Sequence, residues 1–276
     1  MAAHTRDVLR DTTAIKEYSV QTSIMSYSFR HSFESGAMDF GSYLTFSKEH
    51  GFTHYAPWNM HLMAGFKDDA YIDQVKTMAE AAGLKCGCVA VDRGHIYEKD
   101  AEARTQLRGN AKRWIDIARC LGAIQVRIDA GGPEEMPDDA FQVIVDGFLD
   151  LIGYGRERGI EIVTENHWGP TKFPDNVVKL LETVHGLGLL FDTTNWAEGH
   201  IEEGWQKCAR YAKAVHIKGL TSDASVPKVD LPKCIATLKA AGYNGVWGIE
   251  SAPIDGDEQK GVLQTLALIK RELGGQ

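Results

Sequence analysis

Short apolar runs, many of them β-branched, alternate along this chain with longer amphipathic stretches, one pair about every 30 residues. The runs fall at 19–29, 52–58, 84–92, 124–130, 160–166, 187–193, 214–218 and 245–251. The helical patterns fall at 39–50, 68–82, 101–121, 137–158, 174–185, 202–213, 231–241 and 257–273. Gly51, Gly83, Gly159, Gly186 and Gly242 each follow a helical stretch, where a left-handed cap would stop it. Pro137-Asp138-Asp139 and Pro174-Asp175 read as first turns, with proline and acids where the helix dipole favours them. Strands alternating with helices imply parallel pairing through right-handed crossovers. Eight such units predict a (β/α)8 TIM barrel, a single domain over 19–276, with an N-terminal extension at 1–18 outside it. A doubly wound sheet would want a glycine-rich turn after its first strand, and SYSFRHSF (26–33) has no glycine.

The 276 residues are 43% hydrophobic, enough for a substantial core. Thirty basic against 38 acidic residues leave a net charge of −8, which argues against nucleic acid or an anionic membrane as partner. No apolar stretch approaches a membrane span, and MAAHTRDVLRDTTAIKEY lacks the apolar centre of a secretory signal. The five cysteines form no Cys-x-x-Cys pair, and Cys86 and Cys88 have no companion pair for a metal. These features lead us to expect a reduced, cytoplasmic protein.

The functional signal lies at four strand ends. IEIVTENH (160–167), LGLLFDTTN (187–195), AVHIKG (214–219) and GVWGIES (245–251) stop at Glu165, Asp192, His216 and Glu250. A parallel barrel brings such positions together at one mouth. Each acid alone would serve equally as a helix cap, and a lone histidine as a half-buried structural group. Four on consecutive strands point instead to one divalent metal ion. Three carboxylates and an imidazole suit Mn²⁺, Mg²⁺ or Co²⁺, with Zn²⁺ also possible.

Strict alternation in Ile124-Gln125-Val126-Arg127-Ile128-Asp129 turns Gln125, Arg127 and Asp129 into the lumen. The same parity groups Glu165 with His167 and His216 with Lys218. It also groups Glu250 with Gly248, where a missing side chain would leave room for a bound molecule. A metal so held can chelate a carbonyl and a neighbouring hydroxyl and stabilise the enediolate formed when a proton leaves the carbon between them. Glu165 and Glu250, three strands apart, are candidates to exchange that proton. Lys218 is either an electrophile or a solvated lysine, and His167 either an acid/base or a structural group. Ala130-Gly131-Gly132-Pro133 is a glycine turn that could cradle a phosphate or simply be a loop. Trp58, Trp168 and Trp196 fall on loops of the same face, as does His95.

ENH (165–167), DTTN (192–195), HIK (216–218) and IE (249–250) resemble the xylose isomerase-like barrel superfamily, within its sugar phosphate isomerase/epimerase group. The resemblance runs from about Val20 to Leu268. It implies a divalent ion, often Mn²⁺, on the four strand-end residues, and proton exchange by the glutamates. Many ketose epimerases of the group, and the related apurinic endonucleases, carry histidine three residues after the strand-six aspartate, where this chain has Asn195. The superfamily also holds keto-inositol dehydratases and lyases that cleave oxidised C-glycosides.

The chain is therefore expected to be a metal-dependent sugar or ketosugar isomerase or epimerase. Glu165, Glu250, His167 and Lys218 would be catalytic. Arg127, Asn195, Trp58, Trp196 and His95 would contact substrate. A lyase or dehydratase on a 3-keto sugar, C-glycoside or keto-inositol is the alternative, and a non-catalytic sugar-binding barrel the third reading. A small-molecule sugar is the expected partner, and the chain is expected to pair as a homo-oligomer.

Overall fold

The computed structural model of the chain describes residues 20–274, so the extension expected at 1–18 lies outside the described residues. Nine parallel strand segments form the barrel: β1 (Thr22–Met25), β2 (His54–Ala56), β3 (Lys85–Cys86), β4 (Cys88–Val91), β5 (Gln125–Ile128), β6 (Glu161–Glu165), β7 (Gly188–Asp192), β8 (Ala212–Ile217) and β9 (Trp247–Ile249). The helices are α1 (Arg30–Glu34), α2 (Phe40–Glu49), α3 (Asp69–Ala82), α4 (Ala101–Cys120), α5 (Asp138–Arg156), α6 (Pro174–Thr183), α7 (Ile201–Cys208), α8 (Leu231–Ala240) and α9 (Glu258–Glu272). The sheet runs β3-β2-β1-β9-β8-β7-β6-β5-β4. The eight expected runs become nine because 84–92 breaks at Gly87. That residue donates its N–H to Tyr55 O at 2.8 Å and accepts from Ile124 N at 3.0 Å, so β3 and β4 close the ring.

The expected helix stops hold: Gly51, Gly83, Gly159, Gly186 and Gly242 all have positive φ. The first run, 19–29, is shorter than its composition suggested. After β1 the chain tightens into a 3₁₀ turn and then α1, whose start is held from across the sequence. Glu258, 6% exposed, accepts from His31 N at 2.9 Å and from Ser32 N at 3.1 Å. Local periodicity cannot register a cap 227 residues away.

The barrel packs in layers. Outside the strands, the main core binds them to the helices through residues such as Trp114, Phe148, Phe191 and Trp205. Inside, Cys88, Val163, Leu190 and Ala214 form one apolar layer of the lumen, and Met25, Ala56 and Ala90 another. Among the described residues, no helix is long and apolar enough to cross a membrane. None of the five cysteines forms a disulfide.

Register decides which side chains meet. Parallel pairing sets Asp192 against His216 and His216 against Gly248. An irregularity between Leu189 and Leu190 makes room for one extra residue, Lys213, on β8. Such a bulge shifts the register by one and so changes which face every later side chain takes.

Candidate metal centre and cavity

Asp39, Asp68, Asp100, Asp230 and Asp257 each cap the helix that follows them, accepting a backbone N–H in its first turn. Glu165, Asp192 and Glu250 instead project into the barrel mouth together with His216. The four residues offer ligand atoms all within 4.8 Å of one another, and all four are buried.

The polar contacts divide into satisfied and open atoms. Asp192 Oδ1 accepts from Thr194 N at 2.7 Å, Thr194 Oγ1 at 3.0 Å and Asn195 N at 2.9 Å. Asp192 Oδ2 has no hydrogen-bond partner despite complete burial, and Lys218 Nζ stands 3.9 Å away. A buried carboxylate oxygen left bare costs free energy unless a cation faces it. His216 Nδ1 lies 2.9 Å from Glu250 Oε2 and 3.4 Å from Glu165 Oε1. Arg127 Nε is 3.0 Å from Glu165 Oε2, and Arg127 also pairs with Asp129 at 2.8 Å and Asp92 at 3.0 Å.

Electrostatics sharpen the picture. Burial raises Asp192, and repulsion from Glu250 and Glu165 adds to it, with Lys218 opposing. Glu250 is driven the other way: burial is outweighed by Lys218 and His216, which hold it well below the usual carboxylate range. Burial disfavours charge on His216, yet its bonds to Glu165 and Glu250 push it up to about 10. Three clustered acids thus favour positive charge among them, which Lys218, His216 and Arg127 supply here. Oxygen-rich donors, an imidazole and the bare buried Asp192 Oδ2 fit a hard divalent ion.

A cavity of about 250 Å³ opens above this cluster, lined by Met25, Tyr27, Trp58, Asp92, Arg127, Glu165, His167, Lys218 and Glu250. Lys218 donates to Glu250 Oε1 at 2.7 Å and to Asn195 Oδ1 at 3.3 Å. Asn195 in turn reaches Glu165 Oε1 at 3.4 Å. His167 pairs with Asp129 Oδ2 at 3.2 Å. Burial lowers its pKa, but Asp129 and Glu165 prevail and raise it to about 9.

Several expectations need correction. Trp196 is 5% exposed and packs under α7, where Gly204 has no side chain to clash with its indole. It meets Phe191 edge-on at 5.8 Å and does not line the cavity. His95 also lies outside the lining, tied to Glu98 at 2.8 Å and edge-on to Trp168. Gly248 leaves no room for a ligand: a Cβ there would come within 2.4 Å of Val215 O, so the glycine lets β8 and β9 approach. The Gly131-Gly132 turn is filled by its neighbours, since a Cβ at Gly131 would lie 2.8 Å from Tyr97 O.

Asp92, Asp129, Tyr27 and Met25 join the site without being among the residues expected to contact substrate or metal. Asp92 ends the run CVAVD (88–92) as the metal candidates end theirs, so the same rule would have found it. Alternation turns Asp129 into the lumen, but its partners His167 and Trp168 come from the loop after the next strand. Tyr27 and Met25 carry no such signal, because aromatic and thioether side chains near a strand end usually belong to the core.

Fold and site together define a parallel (β/α) barrel whose mouth carries a buried cluster of three carboxylates and a histidine that could hold a metal ion. The sequence matches the xylose isomerase-like TIM barrel family over residues 44–272, and the chain belongs to that family. No curated protein matches it. Among solved structures, it is similar to the IOLI protein with a bound zinc atom: 15% identity, 92% of this chain and 99% of that chain covered, TM-score 0.76. It is similar to D-psicose 3-epimerase with D-tagatose from Clostridium cellulolyticum H10, at 12% identity, 92% and 99% coverage and TM-score 0.73. It is also similar to the probable 3-DHS dehydratase AsbF of petrobactin synthesis from Bacillus anthracis, at 14% identity, 93% and 100% coverage and TM-score 0.71. At these identities the likeness is one of fold.

Proposed function

We propose that this protein is a divalent-metal-dependent isomerase or epimerase of a sugar or ketosugar, acting by removal of a proton next to a carbonyl. The observation that carries the reading is the bare Asp192 Oδ2 clustered with Glu165, His216 and Glu250, two of which, Glu165 and Glu250, line a cavity of about 250 Å³. The zinc in one related fold and the ketose in another agree with it. Mn²⁺ is the ion we assign to these four ligands, and when bound it supplies Lewis acidity to two adjacent substrate oxygens.

The chain's own groups do the rest. Glu165 and Glu250 enter from strands three apart and are both kept ionised, Glu165 chiefly by Arg127 and Glu250 by Lys218. Each can therefore accept a proton from a carbon held between them. Lys218 stays protonated, because Glu250 and Asp192 overcome its burial, and so can donate a hydrogen bond to a substrate oxygen. Arg127, 3% exposed and committed to three acids, orients Glu165. Tyr27 and Trp58 present an apolar wall to the C–H face of the substrate.

One observation favours a second reading. His167 faces the cavity with Asp129 behind it and could hand a proton to a leaving group, as elimination requires. A protein of this fold described as a probable dehydratase agrees. The deciding experiment is incubation in heavy water with ketoses, keto-inositols and 3-keto-glycosides. Metal-dependent entry of deuterium beside the carbonyl, with the carbon skeleton and all hydroxyls retained, is expected. Elimination in place of exchange assigns the chain to the lyases. Metal-bound protein that neither exchanges nor eliminates on any of these substrates leaves a sugar-binding barrel.

A further inference from the structure

Main-chain ladders stop where strands end, yet the residues that matter here stand at or just past those ends. The rim is continued by side chains that imitate a peptide. Asn166, fully buried, accepts from Asp192 N at 2.8 Å and donates to Asp192 O at 3.0 Å. Asn59 does the same to Asp92, with both bonds at 3.0 Å. Thr193 Oγ1 accepts from Lys218 N at 2.8 Å and donates to Lys218 O at 2.6 Å. Ser28 brackets Glu250, donating to Ile249 O at 3.3 Å and accepting from Ser251 N at 3.0 Å. Four times, a side chain of one strand or its loop clamps the backbone at a cavity or ligand residue of a neighbouring one.

We propose that Asn166 is a positioning residue that sets the distance between the carboxylates of Glu165 and Asp192. This inference rests on the metal reading of the site. Asn166 directly follows Glu165, so one short stretch of chain carries one ligand and pins the backbone of the next. Aspartate has a short side chain, and its carboxylate goes where its Cα goes. An amide presents a donor and an acceptor side by side, which a carboxylate cannot do. With Asp192 Oδ1 already fixed by Thr194 and Asn195, the Asn166 clamp leaves Oδ2 a single direction.

The test uses Co²⁺ as probe, with three readouts on purified protein: dissociation constant by calorimetry, visible absorption spectrum and thermal midpoint. Asn166→Asp keeps the shape and loses the donor. Loss of a group that orients a ligand typically weakens metal affinity about 10- to 100-fold, and that loss is expected here, together with an altered Co²⁺ spectrum. Asn166→Ser is small enough to fold in place and can keep one of the two bonds, so an intermediate loss is expected. Asn59→Asp breaks the same kind of clamp at a residue outside the ligand set. It should lower the midpoint while leaving Co²⁺ affinity unchanged. Folded Asn166 variants with wild-type affinity and spectrum would overturn the inference and spare the metal site. Wild-type protein that binds no Co²⁺ would overturn the metal reading and this inference with it.

Discussion

The two sides of the barrel mouth are built on different principles. On the β6–β9 side, charged residues end the strands, neighbouring side chains hold their backbone, and the candidate reacting groups of the proposed function sit on rigid elements. On the β1–β2 side, the wall is aromatic and comes from loops and short turns. Tyr27 meets Trp58 edge-on at 5.0 Å, Trp58 meets His61 edge-on at 5.0 Å, and His61 stacks on Phe33 at 3.9 Å. Strand ends fix the positions of reacting groups; loops shape what may lie against them. Changes on the first side should therefore strike rate and metal, and changes on the second should strike affinity for substrate.

The largest effect should come from Glu165→Gln and Glu250→Gln. An amide oxygen can still ligate, but it cannot take the proton. Each should hold metal better than the alanine variant while costing about 100- to 10,000-fold in turnover. Equal losses of metal and rate in both would reduce the glutamates to ligands alone.

Next comes Gly248→Ala. Its Cβ would meet Val215 O at 2.4 Å, on the strand pair that carries His216 and Glu250. A stability loss of about 1–3 kcal/mol is expected from denaturant titration, with weakened metal binding. Wild-type stability would mean that β8 and β9 can separate freely.

A smaller effect should follow from Trp58→Ala on the aromatic side. A lost aromatic contact is worth about 0.5–1.5 kcal/mol, so KM should rise up to about tenfold, with metal affinity unchanged. A change in metal affinity instead would join the two sides that the comparison separates.

The smallest concerns pH. Burial lowers His61 to about 4, only partly opposed by Glu258. The unfolded chain then binds more protons than the folded one between about pH 6.5 and 4, so stability falls as pH drops through that window. His61→Gln should make the fall shallower, compared with wild type by denaturation at several pH values. Parallel curves would show that the imidazole is not what resists protonation there.

The same contrast explains what could be read before the structure. The clustering of Glu165, Asp192, His216 and Glu250 was legible because period-2 alternation and strand-end polar groups are local signals, and each of the four carries one. The helix stops were legible for the same reason. The aromatic side was not, since Tyr27 and Phe33 look like core residues in sequence and acquire their role through a turn capped by Glu258. Trp196 shows the converse failure: an indole next to the site's own motif, DTTN, lies on the outer face because Gly204 opens a slot for it. Asn166 sits inside the ENH signature, but a clamp on a neighbouring strand has no mark in a single sequence.

The measurement that bears most directly on the central claim is divalent-ion stoichiometry and affinity in wild type, Asp192→Ala and Glu250→Ala, by calorimetry and metal analysis on folded protein. One tightly bound ion per wild-type chain, lost in both variants, is the result the site geometry predicts. Full occupancy in Asp192→Ala and Glu250→Ala would contradict it.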